Sequence, residues 1–144
     1  MTTSPMKERL TRLLHEVWSQ GNLEAVDQYI APKYTIRHDP GDPWEHQTLD
    51  LAGYKERVRL SRGPFPDQRF DIQEIFEDGN AVVVTWLWSA THVGDIPGFP
   101  ATGKRIHMSG ITVYYFDGER FTGHWQMKDA LGVFQQLRQA STGE

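Results

Sequence analysis

The residues with the most chemical potential lie in one stretch, Gly103 to Leu137, GKRIHMSGITVYYFDGERFTGHWQMKDALGVFQQL, which carries His107, Trp125 and Asp129. An imidazole and a carboxylate suit general acid/base work: an apolar pocket raises a carboxyl pKa until it exchanges protons near neutral pH. The three residues are far apart in sequence, so they meet only if the strands bearing them curl around a common cavity.

The elements that must do this are readable from spacing. Strand-forming residues flank a turn at Asp117-Gly118, which predicts two long antiparallel strands, and an amphipathic helix follows Asp129. Upstream, Ser4-Pro5 is a helix start, and Leu10, Leu13, Leu14, Val17 and Trp18 recur at helical spacing to about residue 20. Gly21-Asn22 stops that helix, and Leu23, Val26, Tyr29 and Ile30 predict a short second one ending before Pro32. Tyr34, Ile36 and His38 alternate with Thr35 and Arg37 as one face of a strand, which gives way to a loop over Asp39–Thr48. A helix follows from about Asp50 to Arg62. Strands over Arg69–Glu77 and Ala81–Val93 join at Asp78-Gly79-Asn80, and Gly94–Gly103, with two prolines and three glycines, reads as irregular. In the second of these strands Val82, Val84, Trp86, Trp88, Ala90 and His92 share one face. Its other face is also largely apolar, which predicts cover on both sides by helices and a cavity or partner subunit. The order of elements is α+β: a four-strand meander with helices on one side of a strongly curved sheet, in one domain over residues 1–144. The first few residues and Ser141–Glu144 read as disordered.

Composition narrows the function. A net charge of −4 without Lys/Arg clusters gives no basic footprint and makes nucleic acid a poor candidate partner, so none is expected. No apolar run approaches the 18 or so residues of a membrane span, so no membrane partner is expected. The chain has no cysteine and no apolar leader, which makes the cytoplasm the default location. His15, His38, His46, His92, His107 and His124 form no His-x-His, HExxH or i, i+4 helical pair, so a metal site is not expected. Gly-x-Ser-x-Gly is absent, as is a Gly-rich phosphate loop. Five tryptophans and 12% aromatic residues fill a core or line a pocket for an organic ligand.

Taken together, the loop Gly94–Gly103, the run Lys104-Arg105-Ile106-His107-Met108-Ser109-Gly110 and the ending Gly123-His124-Trp125, Asp129 and Leu131-Gly132 make the sequence resemble the SnoaL-like polyketide cyclases. The likeness extends to Phe65-Pro66-Asp67 and His38, nearly the whole chain. It implies the cone-shaped α+β half-barrel of ketosteroid isomerase, scytalone dehydratase and nuclear transport factor 2, with an internal pocket under the N-terminal helices. It further implies a homodimer or homotetramer built by sheet packing, and cofactor-free intramolecular aldol closure of a hydrophobic carbonyl compound. In this reading Asp129 is the acid/base, while His107, and with it His38, stabilises the enolate; Trp125, Trp86, Trp88, Tyr34 and Tyr115 wall the pocket. Two alternatives stay open: a hydrolase, isomerase or dehydratase on the same scaffold, and a non-catalytic small-molecule-binding or dimerisation module. Asp129 also has a second role available, as cap of the last helix, and the two roles displace its pKa in opposite directions. Arg37-x-Asp39 and Arg69-x-Asp71 resemble the Asp-Arg-Asp group of limonene-type epoxide hydrolases. That group belongs on a later strand, where this chain has Arg105 and His107, so the departure argues against epoxide hydrolysis.

Overall fold

The computed structural model describes residues 4–139; the sequence expectations of disorder at the two ends lie outside that range. Helix α1, Pro5–Arg12, starts where predicted, with the Ser4 hydroxyl accepting from the Lys7 N–H and Pro5 in the first turn. It continues as a π-helical segment over Leu13–Ser19, and its apolar stripe, Leu10, Leu13, Leu14, Val17 and Trp18, is buried. A 3₁₀ turn at Leu23–Ala25 leads into α2, Val26–Tyr29.

Strand β1, Ile30–His38, begins four residues earlier than its alternation suggests and contains Pro32. The proline is tolerated because the pairing register shifts between Ile30 and Thr35, where a ladder N–H is dispensable. The two-residue β2, Thr48–Leu49, pairs with β1, and α3, Leu51–Arg62, is capped by Asp50. Strands β3 (Arg69–Asp78), β4 (Ala81–Thr91), β5 (Arg105–Phe116) and β6 (Phe121–Lys128) form the expected antiparallel meander, and α4, Ala130–Arg138, closes the chain. The sheet order is β2-β1-β6-β5-β4-β3, with β1 running parallel to β6. Tyr34 and Ile36 of β1, Val82 to Ala90 at even positions of β4, and Ile106 and Tyr114 of β5 meet α1 and α3 in one core. This is the curved, unclosed α+β sheet with helices over one face that the chain predicts.

The other face of β4 is uncovered within the single chain. Leu87 is 48% exposed, and its neighbours Phe76, Ile111, Trp125 and Met127 are exposed as well. Register places them together, since Phe76 pairs with Val83, Thr85 with Ile111, Ile111 with Met127 and Val113 with Trp125. Among the described residues no helix is long and apolar enough to cross a membrane.

Candidate active site

Between the inner face of the sheet and the helices lies a cavity of about 530 Å³. Its walls are aromatic: Trp18 from the π-helical segment, Phe65, Phe70 from β3, and Trp86 and Trp88 from β4. The Phe70 and Trp86 rings meet edge to face at 5.0 Å, as do Phe65 and Trp88 at 5.1 Å, an arrangement that holds rings rigidly. Trp86 lies flat across β5 because residue 110 is glycine; a Cβ there falls 2.2 Å from its ring. The mouth is framed by Pro40–Pro43, by Ile96 and Pro97 of the long loop, and by Ala130, Val133 and Phe134 of α4.

The polar groups gather on β6 and α3. His124, Gln126 and Lys128 alternate along β6, so all three point inward. Behind them sits Asp39, with no exposed surface. Its carboxylate accepts from His124 Nε2 at 2.9 Å, from Lys128 Nζ at 2.8 Å, from Gln126 Nε2 at 3.2 Å to both oxygens, and from Arg57 Nη2 at 3.3 Å. Arg57 also donates to Asp42 at 2.8 Å. Burial alone raises the Asp39 pKa, but the His124 hydrogen bond and the Lys128 charge outweigh it and hold the carboxyl at about 2. His124 is displaced downward, chiefly by burial, so it is neutral at pH 7. Because its Nε2–H donates to Asp39, Nδ1 carries a lone pair and accepts the Tyr34 hydroxyl at 2.7 Å. Burial pushes the Tyr34 phenol well above its ordinary value. The result is a chain Tyr34–His124–Asp39 whose hydrogens have one possible order. A second chain fixes Gln126: the Trp86 indole donates to Thr112 Oγ1 at 2.9 Å, Thr112 donates to Gln126 Oε1 at 2.7 Å, and the amide N–H groups face Asp39. Among the described residues no three His, Asp or Glu side chains are grouped as a metal ion requires.

A sequence profile described as SnoaL-like polyketide cyclase matches residues 8–137. The chain belongs to that family. Among solved structures, this SnoaL-like chain is similar to a candidate polyketide cyclase from Acidithiobacillus ferrooxidans, at 68% identity, covering 98% of this chain and 99% of that one, with a TM-score of 0.93. It has the same fold as IdmH from Streptomyces antibioticus, also described as a candidate polyketide cyclase, at 24% identity, 93% and 99% coverage and a TM-score of 0.79. TsrD from Streptomyces laurentii shares the fold too, at 23% identity, 96% and 98% coverage and a TM-score of 0.80. No curated protein sequence matches the chain.

Of the residues the sequence points to in this SnoaL-like domain, Tyr34, Trp86 and Trp88 line the cavity. The expected convergence of His107, Trp125 and Asp129 inside it does not occur. Met108 faces the cavity, opposite Trp88, so its neighbour His107 pairs with Ser89 on the outer face and is exposed. Trp125 is outside for the same reason, beside the inward His124. Tyr115 is likewise on the outer face, under the Arg37 guanidinium at 3.9 Å. Asp129 is exposed and accepts the Gly132 N–H at 2.9 Å as N-cap of α4. His38 fails to continue the Tyr34–Ile36 face because of a bulge: Ile36 pairs with His124 but His38 with Trp125. That extra residue turns His38 outward, where it stacks on Trp125 at 4.4 Å, and swings Asp39 inward. Arg37 is correspondingly separated from Asp39, whose arginine partner is Arg57. Arg57, Gln126 and Lys128 carry no motif that marks them as chemistry in the sequence, and Asp39 enters there only through the Arg37-x-Asp39 pair, set aside with epoxide hydrolysis. The signal available was the period-two run His124-x-Gln126-x-Lys128, three polar residues on one face of a strand that otherwise reads as core.

Proposed function

We propose that this chain is an acid/base enzyme of the polyketide cyclase type, acting without a cofactor on a hydrophobic carbonyl compound. The observation that carries the reading is the Tyr34–His124–Asp39 chain opening into an aromatic cavity. The carboxylate of Asp39 accepts from four side chains and is too weak a base at pKa about 2 to take the proton itself. Its part is to hold His124 in one tautomer and to stabilise the imidazolium that forms. A proton leaving the carbon α to a substrate carbonyl passes to Tyr34 Oη as the Tyr34 proton passes to His124 Nδ1. Lys128, which spends one N–H on Asp39 and lines the cavity, offers its others to the enolate oxygen. The enolate carbon then attacks a second carbonyl of the same molecule, forming the C–C bond of an aldol, and the alkoxide recovers the proton from His124 by way of Tyr34. Trp86 and Trp88 exclude water around these steps. Asp129, His107 and His38 take no part in this scheme.

The test is deuterium exchange at the α-carbon of a panel of hydrophobic ketones and β-keto esters in D₂O, followed by NMR. Wild-type protein exchanges at least one of them, and His124→Gln slows that exchange about 10²- to 10⁴-fold, the usual worth of a positioned acid/base. Exchange that is indifferent to His124→Gln, or absent across the panel, sinks the assignment.

We also propose that the protein is a homodimer joined through the outer sheet face. Exposed Phe76, Leu87, Ile111, Trp125 and Met127 on one contiguous face support this, since an apolar patch of that kind is a usual mark of an interface.

A further inference from the structure

Two hydroxyls in the cavity have hydrogen-bonding capacity that the relay does not use. Tyr54, on α3, is 1% exposed and lines the cavity. Its Oη accepts the Trp18 indole N–H at 3.0 Å, and since an indole can only donate, the Tyr54 O–H is left over; it reaches no acceptor among the described residues. Tyr114, on the inner face of β5, is 7% exposed, lines the same cavity, and its hydroxyl makes no hydrogen bond among the described residues. Buried tyrosine hydroxyls ordinarily find a partner. Both rings stand beside the relay: Tyr54 meets Tyr34 edge-on at 4.9 Å, and Tyr114 lies 6.0 Å from the His124 ring. Burial raises both phenols, Tyr54 to about 12 and Tyr114 further, so each keeps its proton at physiological pH. The charges nearby balance one another, Arg57 pairing with Asp39 and Asp42 and Lys128 with Asp39 through one of its N–H groups. Two uncharged donors with balanced surroundings suit a neutral oxygen acceptor rather than a carboxylate or an amine.

We infer that the Tyr54 and Tyr114 hydroxyls form a donor subsite in the cavity for a neutral ketone or ester carbonyl of the ligand. This deepens the proposed function and rests on the same cavity being the substrate site. Its consequence is a ligand anchored by one carbonyl oxygen at the tyrosine pair, with the relay acting beside it.

The experiment compares 9-fluorenone with fluorene, the same skeleton without the oxygen, by tryptophan-quenching titration and by the infrared carbonyl band of bound fluorenone. Tyr54→Phe and Tyr114→Phe are each expected to weaken fluorenone roughly threefold to tenfold, as loss of one net hydrogen bond does, and to move its carbonyl band to higher frequency. Fluorene affinity stays put, which also certifies that the variants are folded. Equal losses for both compounds would mean the tyrosines only pack, and would overturn the subsite. So would a carbonyl band that responds to Lys128→Met alone, or wild-type protein that fails to bind fluorenone. Failure of the relay reads differently: His124→Gln would leave α-proton exchange intact while the ketone-specific losses at Tyr54 and Tyr114 persisted.

Discussion

Thr112 is a residue whose side chain touches no ligand-facing charge yet sets the polarity of the site. Its hydroxyl accepts a hydrogen bond from the Trp86 indole and donates one to Gln126, so the amide has one orientation and presents N–H to Asp39. Thr112→Val keeps the shape and removes both bonds, leaving the Trp86 indole and the Gln126 carbonyl buried without partners. The expected cost is about 2 kcal/mol by urea denaturation, of the order of leaving such groups unpaired. The exchange rate should fall as well, because the Gln126 amide loses the hydrogen bond that holds its oxygen away from Asp39 and its position in the cavity loosens. The pH profile of exchange follows from His124. Its pKa is lowered by burial, so the active neutral base persists below the ordinary histidine value of about 6.5, and the acid limb of the rate should lie on the acid side of that value. An acid limb above it would contradict the assignment of His124 as proton acceptor.

At the scale of elements, the decisive feature is the bulge near the end of β1. Alternation from Tyr34 through Ile36 leads naturally to His38, and the ladder instead pairs Ile36 with His124 and His38 with Trp125. One extra residue exchanges the faces of His38 and Asp39, which is why spacing alone points to the histidine and the fold turns the aspartate inward. Helix α4 shows the opposite case, where a local role readable in sequence is the one adopted. Asp129 caps it, and the Gln136 amide exchanges two hydrogen bonds with the His107 backbone, at 2.8 and 2.7 Å, to hold the helix at the cavity mouth. Asp129→Ala should therefore cost about 1 kcal/mol in thermal unfolding, the worth of an N-cap, while α-proton exchange survives. Loss of exchange with unchanged stability would restore Asp129 as a catalytic group. Gly110→Ala acts on the sheet: a methyl 2.2 Å from the Trp86 ring forces the indole from the cavity wall, and fluorene binding should weaken together with fluorenone binding.

At the scale of the whole molecule, a cluster of two buried carboxylates and two cations couples stability to acid. Asp39 falls from an ordinary value of 3.8 to about 2 on folding, so its contribution is present above pH 4 and is lost as pH drops toward 2. The loss should be about 2 kcal/mol at roughly 1.4 kcal/mol per unit. His124 adds in the same direction, because below about pH 6.5 the unfolded chain takes up protons that the buried imidazole resists. Urea midpoints measured between pH 7 and pH 2 should thus decline in two stages, and His124→Gln should remove the first. The outer face makes a separate prediction: Leu87→Arg, at a site 48% exposed in the single chain, should give a monomer in sedimentation velocity while the wild type sediments as a dimer.

Periodicity carried the helices, the meander and the curved α+β class, because a buried stripe on a helix or one face of a strand must repeat at 3.6 or 2 residues. It also placed Trp86 and Trp88 together on the face that became the cavity wall. Phase was harder to read than period. Met108 or His107, His124 or Trp125, and Asp39 or His38 are each adjacent pairs of which one points to the inner side of the sheet, and both members are chemically plausible there. Their phase is set by pairing with other strands: Trp88 opposite Met108, Tyr114 opposite His124, and a bulge where β1 joins β6 in parallel. Those pairings join residues up to about ninety positions apart, and no local pattern encodes them. The association of Asp39 with Arg57, His124 and Lys128 is of the same kind, made by three elements that meet only when the sheet closes over its core.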